Sequence, residues 1–375
     1  MSLYVKPVES KTDLREFVKI PWKIYKGNKC WVPPLISDAI KTLDAGKNPA
    51  LKRIEHKLFL AFDGSRTVGR IYAGIDHSLN KKKNTLFGFI SLFECINNYE
   101  AAELLFNSAA QWLKEKNMAE MKGPFSPTGT DGDEYKGLLV DCFDRPPVLM
   151  NTYNPPYYKE FFEKYGFEKD YDLFAYIITK ETIFEKNPEK VIEYAKKKYN
   201  FRVDPINIKN IGEEAKALKH VLDLAIPDEW PDLVPPSFDD VMGMAKKLKP
   251  YADPDLIIIA RSGEEPVGFA ITLPDYNQAL AHLNGRLTPL SVLKFLWFKR
   301  KINCARIFVM FVVPAFRKKG ASFAIYYQIF ANAVKKGYTW GEGSTIGETN
   351  LRMRADIESL GGRHYKTYRV YKKEI

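Results

Sequence analysis

Cysteine is scarce in this chain, four residues in 375, and Cys30, Cys95, Cys142 and Cys304 stand far apart without any Cys-x-x-Cys pair. That spacing excludes a zinc ribbon, a dithiol redox motif and a dense disulfide framework, and it points to reduced thiols. The five histidines, His56, His77, His220, His282 and His364, include no pair at metal-binding spacing. No Gly-x-Ser-x-Gly elbow occurs either, so metalloenzyme and serine-hydrolase chemistry fall away. Long apolar runs are missing: no stretch reaches the ~18 residues a membrane span requires. Met1 to Lys6 lacks the basic-then-apolar layout of a signal peptide. A soluble, cytoplasmic protein without membrane contact is expected. Trp340 to Asn350 imitates a phosphate-binding loop, but Gly347 is followed by Glu348 where that motif needs Lys, which excludes nucleoside triphosphate hydrolysis.

What is present is material for a folded, two-domain protein. Hydrophobic content of 45% with 14% aromatics is far above that of chains too polar to fold, and 375 residues suffice for two cores. The net charge of +11 favours acidic partners. Lys81-Lys82-Lys83 and Lys196-Lys197-Lys198 are separated and read as solvated faces, not as a nucleic-acid surface.

Three features recur in the same order in both halves. Trp31 with Val32-Pro33-Pro34 answers to Trp230 with Val234-Pro235-Pro236. The hairpin of Leu58–Ala61 and Val68-Gly69 answers to that of Leu256–Ala260 and Val267-Gly268. Asn154 precedes Gly166 as Asn350 precedes Gly362, with a helical segment between and a tyrosine-rich strand after, Tyr171–Ile178 or Tyr365–Tyr371. The shared order predicts a tandem duplication: a domain over 1–180, a connecting segment over 181–200, and a second domain over 201–375. Each copy reads as a mixed, mostly antiparallel sheet flanked by helices, an α+β fold.

The most informative stretch is Phe311 to Ser322. An apolar strand ends there in a basic turn that opens a helix marked by Ala324, Tyr327, Ala331 and Val334. Amides at a helix N-terminus have no intrahelical partners and carry the positive end of the dipole, so small residues at Gly320, Ala321 and Ser322 leave them open to a pyrophosphate. The first copy has no such turn. Its matching strand, Phe87–Phe93, leads through Glu94-Cys95-Ile96-Asn97-Asn98-Tyr99 into a helix with Ala101, Leu105, Ser108 and Trp112, and Ile96 and Tyr99 would crowd a phosphate. Arg317-x-x-Gly320-x-Ser322 resembles motif A of the GNAT superfamily of acyl-CoA N-acyltransferases, with Ser in the last small position. On this resemblance the chain is a tandem GNAT-like protein whose first domain is degenerate.

The resemblance implies acetyl-CoA, or another acyl-CoA, as co-substrate, a primary amine of a small molecule or protein as acceptor, and no metal. It makes Val312 and Val313 the backbone contacts to the pantetheine, and Arg317, Lys318, Lys319, Gly320, Ala321 and Ser322 the pyrophosphate cradle. Asn350 matches the family's pantetheine-reaching Asn, with an ordinary helix N-cap as the other reading. Glu342 and Glu348 are the candidate bases. The family's tyrosine acid falls on Ile357, and on Phe161 in the first copy, which leaves Tyr365 or Tyr368, unassisted departure of the thiolate, or lost catalysis. Two other readings stay open: a non-catalytic CoA sensor, and a Fem-like aminoacyl-tRNA-dependent transferase, against which the cradle counts. The acidic residues Asp131, Asp133 and Glu134 read as a solvated turn. The basic, amphipathic Leu287–Lys301, with Leu290, Leu293, Leu296 and Trp297, is expected to pack its stripe into the core, a membrane or partner contact being the alternative.

Overall fold

The computed structural model describes residues 2–129, 134–185, 188–227 and 233–375. Trp230, Asp131 and Asp133 lie outside the described residues. In chain order the first elements are β1 (Leu3–Pro7), α1 (Lys11–Ile24), α2 (Ile36–Thr42), β2 (Ile54–Asp63), β3 (Arg66–Asp76) and α3 (His77–Lys83). They are followed by β4 (Phe87–Cys95), α4 (Tyr99–Glu115), β5 (Glu120–Gly123), β6 (Leu138–Leu139), α5 (Tyr157–Tyr165) and β7 (Glu168–Thr179). Next come α6 (Lys180–Glu185), α7 (Glu189–Tyr199), β8 (Arg202–Pro205), α8 (Ile211–Ala225), α9 (Phe238–Leu248), β9 (Ile257–Ser262) and β10 (Glu265–Pro274). The chain ends with α10 (Asn277–Leu280), α11 (Pro289–Lys299), β11 (Cys304–Val312), α12 (Ala321–Lys335), β12 (Trp340–Gly347), α13 (Leu351–Ser359) and β13 (Arg363–Glu374).

These elements form two compact units. One comprises Met1–Leu173, Tyr276–Arg300 and Lys366–Ile375, the other Phe174–Asp275 and Lys301–Tyr365. In the first unit the strands run β1-β2-β3-β4-β5 and then β13 from Lys366 onward, with β6 also on β13; in the second, β7 from Phe174 onward is followed by β12-β11-β10-β9-β8. In each unit antiparallel ladders are joined by a parallel pair, β4 with β5 in the first and β11 with β12 in the second. Both hairpins form where the alternating apolar residues require them, and each turns through a glycine in the left-handed region, Gly64 at φ 57° and Gly263 at φ 59°.

The units interleave relative to the sequence halves 1–180 and 201–375. Each copy's closing strand supplies the core of the other copy's unit. Tyr371 of β13 is buried in the first unit against Phe162, whereas Tyr176 and Ile178 of β7 are buried in the second unit's cluster. An alternating strand pattern demands a sheet partner without naming it, so this exchange is a tertiary fact.

The helices bury the faces their periodicity sets. In α4, Ala101, Leu105, Ala109 and Trp112 are buried against the first sheet. Helix α11 departs from expectation: its stripe is on the surface, not in the core. Ser291 is its one buried residue, and it packs on α10 through Phe295 against Tyr276 and Phe298 stacked on His282. Leu290, Leu293, Leu296 and Trp297 are exposed.

Candidate functional site

The second unit places the basic turn where a strand hands over to a helix. The parallel ladder of β11 and β12 runs from Cys304↔Trp340 to Ile307↔Gly343 and stops. Both strands continue, β11 to Val312 and β12 to Gly347, so they splay beyond that point. On its other edge β11 stays paired to β10 as far as Gly268↔Val312, and the Val313 amide donates to the Val267 carbonyl at 2.9 Å. Antiparallel alternation then turns the backbone groups of Val312 towards the gap.

Of the two expected backbone contacts, Val313 is therefore committed to the protein. Its N–H is used by β10, and its carbonyl accepts from the amides of Phe316 and Arg317. Arg317 does not reach into the cradle either: its Nε donates to the Val312 carbonyl at 3.1 Å and its Nη2 to the Ala225 carbonyl at 2.7 Å. It braces the turn, and burial together with nearby Arg352 pushes its pKa down.

The turn itself is open. Lys318 at φ 67° and Gly320 at φ 82° bend the chain through the left-handed region. Gly320 is the N-cap of α12 and supplies no side-chain cap, so the first amides of the helix face outward without intrahelical acceptors. A Cβ on Gly320 would lie 3.1 Å from the Cβ of Ala195 in α7, a second reason for glycine there. Lys318 is exposed, and the Lys319 ammonium sits 4.7 Å above the Phe316 ring. Ala321 is fully buried, while Ser322 donates its hydroxyl to Asp356 at 2.7 Å, which puts one carboxylate beside the cations.

The first unit shows the contrast. Helix α4 has Asn98 as N-cap, whose side chain accepts from the Ala101 amide at 3.0 Å and so occupies the helix mouth. Near it, the part-buried Glu94, with 12% of its side chain exposed, accepts at its carboxylate from Tyr25 and Tyr158 at 2.9 and 2.8 Å and lies 3.7 Å from Arg70. Burial, offset only in part by Arg70 and the two hydroxyls, raises the Glu94 pKa to about 7.

One register position before the second unit's splay, Glu342 lies opposite Arg306, and both are fully buried. Arg306 donates from Nε to the Ser344 hydroxyl at 3.0 Å and from Nη2 to the Ser344 carbonyl at 3.2 Å. Ser344 donates its hydroxyl to Glu342, and the half-buried Tyr365 donates to the other carboxylate oxygen. A candidate base and a candidate acid are thus joined by a hydrogen bond. Glu348 follows the end of β12. It lies six residues beyond Glu342 along the chain, about 20 Å at the rise of a strand, and its carbonyl accepts from Arg354. Tyr368 belongs to the first unit, paired with Leu139 of β6.

Asn350 caps α13, its side chain accepting from the Met353 amide at 3.2 Å. Asn154 is no cap at all: it clamps Leu139 by accepting from its amide at 2.8 Å and donating to its carbonyl at 3.0 Å. Ile357 is core, its side chain filling the space a Cβ on Gly343 would need. Sequence reasoning overlooked Arg306, Ser344 and the Glu94 cluster. The signal for them was a charged residue inside an otherwise apolar strand, Arg306 in Cys304–Val312 and Glu94 in Phe87–Cys95, which is costly unless partnered.

No family model matches the chain. Protein YghO of Escherichia coli K12 is 30% identical over 376 residues, covering 98% of this chain and 94% of that one. A bacterial ceramide synthase of Caulobacter vibrioides is 31% identical over 382 residues, covering 100% and 98%. Among solved structures, a tandem GNAT protein from the clavulanic acid biosynthesis pathway superposes with a TM-score of 0.58 at 10% identity over 100% of this chain and 98% of that one. That likeness concerns the fold and agrees with two units that each combine antiparallel and parallel strand pairs. The chain belongs to the family of YghO and the bacterial ceramide synthase, and its fold is that of the tandem GNAT proteins.

Proposed function

We propose that this protein is an acyl-CoA-dependent N-acyltransferase working in its second unit. The observation that carries the reading is the uncapped mouth of α12, headed by Gly320, at the end of a strand that has parted from its neighbour. Those are the two features a pantetheine pyrophosphate needs, oriented amides for the phosphates and an unpaired strand edge for the arm. Lys318, Lys319 and the amides of Ala321 and Ser322 would hold the pyrophosphate, with the Val312 backbone along the arm. Arg317 would act by holding the turn, Asn350 by starting α13.

Acyl transfer requires the attacking amine to lose a proton and the departing thiolate to gain one. Tyr365 would take the amine proton while passing its own to Glu342, then reverse the relay towards sulfur. Ser344 and Arg306 would hold the Glu342 carboxylate in place. Glu348 remains the alternative base.

For the transferred group, the GNAT resemblance argues for acetyl. The name of the Caulobacter relative argues for a fatty acyl group passed to a long-chain amine, since a ceramide is an amide of that kind. Calorimetric titration of acetyl-CoA and of palmitoyl-CoA into the wild type decides between them. The Gly320→Glu variant is expected to bind the preferred donor about 100-fold more weakly, because a carboxylate would take the place of the phosphates. Unchanged affinity would move the site elsewhere. Binding without thiol release across an amine panel would favour the sensor reading, and an RNA gel shift the Fem-like one.

A further inference from the structure

We infer that α11 is a docking element for an anionic lipid surface. Leu290, Leu293, Leu296 and Trp297 are 65%, 64%, 51% and 53% exposed, an unusual concentration of large apolar side chains in so short a helix. At about 100° per residue, these four fall on the side opposite Ser291, Phe295 and Phe298, which face α10. Lys294 and Lys299 lie at the two edges of that strip, and Arg286 and Arg300 at its ends. All four cations are exposed, and none makes an ion pair with another described residue. The chain has no aspartate or glutamate between Asp275 and Glu342, so no carboxylate from this segment offsets their charge.

The helix is held outward by its own unit. Trp22 of α1 donates to the Asn284 side chain at 2.9 Å, the Ile36 amide donates to the Gly285 carbonyl at 2.9 Å, and Gly285 at φ 74° sits where a Cβ would strike the Trp22 ring. The Thr288 capping box then starts α11 sharply. The apolar face is thus fixed on the surface and is not a flap that folds back.

Charge and length select the occupant. Eleven residues of helix span about 16 Å, too short to cross a bilayer, and no helix among the described residues is long and apolar enough to do so. A helix of this length with leucines and a tryptophan on one side and lysines at the edges suits the interfacial plane, where the ring sits at headgroup depth and the amines snorkel to phosphate. Protein interfaces, by contrast, are depleted in lysine. The inference does not rest on the acyl-transfer reading, and its test contains no acyl-CoA.

The full chain is sedimented with phosphatidylcholine vesicles and with vesicles in which about a third of the lipid is phosphatidylglycerol. Binding to the anionic vesicles is expected, weakening as salt is added. The Leu293→Asp, Trp297→Asp double variant and the Lys294→Glu, Lys299→Glu double variant should each partition at least about tenfold less. The vesicle-induced blue shift in tryptophan fluorescence should vanish in Trp297→Phe. All the changes are on the surface, and circular dichroism verifies that each variant is folded. A wild type that stays in the supernatant with anionic vesicles, or an apolar variant that pellets as well as the wild type, would overturn the inference. So would light scattering that finds a wild-type dimer split into monomers by Leu293→Asp, because the strip would then belong to a second copy.

Discussion

Exchange of Glu342 for Gln is expected to lower kcat for acyl transfer by about 100-fold to 1000-fold, within the range of general base catalysis, while acyl-CoA affinity stays within about twofold. Glutamine keeps the size of the side chain and one oxygen for Tyr365 or Ser344, but it cannot take a proton. Because Glu342 is fully buried and the half-buried Tyr365 donates to it, the relay predicts that Tyr365→Phe reproduces most of this loss. It should also remove the same limb of the pH–rate profile. A purely structural role would instead lower the thermal midpoint and leave the profile's shape intact. If both variants turn over normally while Gly320→Glu still fails to bind donor, the base lies elsewhere and Glu348→Gln is the next variant to measure.

The second large effect concerns stability in the first unit. Glu94 has its carboxyl raised from 4.5 to about 7. Burial outweighs Arg70 here because the nearest guanidinium nitrogen is 3.7 Å away and burial disfavours the Arg70 charge as well. The sign follows from linkage. Below pH 4.5 the group is protonated in folded and unfolded chains alike, and its contribution is fully present. Between 4.5 and 7 the unfolded chain releases a proton that the folded one retains, so stability is lost as pH rises, in all about 3 kcal/mol. Glu94→Gln cannot ionise. Urea denaturation of both proteins at intervals from pH 4.5 to pH 8 should show the wild type losing about that much relative to the variant. The variant's absolute offset is set by Arg70, which keeps its hydrogen bond to the Phe17 carbonyl at 2.7 Å. Parallel curves for the two proteins would mean that Glu94 titrates normally.

Much of the fold could be read from local pattern. The hairpins at 54–76 and 257–274, the helix after each long central strand and the uncapped turn at Gly320 are all written in contiguous residues. Periodicity and turn chemistry act over such distances. Helix α11 shows where that reasoning stops. A leucine stripe states that one face is apolar; whether the face meets a core or the outside depends on which elements the fold packs against it, and here Ser291, Phe295 and Phe298 provide the inner contacts instead.

The same boundary divides the candidate site. The proposed cradle was legible in the sequence, because a phosphate-binding turn is built from neighbouring residues whose small side chains and left-handed φ angles are local properties. The lack of an Arg-x-x-Gly turn in the first copy was legible too, whereas the side-chain cap that Asn98 supplies to α4 is a fact of the structure. The surroundings of Glu342, its hydrogen bond with Tyr365, and the commitment of Arg317 and Val313 to bracing the turn came only from the tertiary structure. Those depend on which strands lie side by side and which backbone groups each has already spent, quantities that spacing along a chain does not carry.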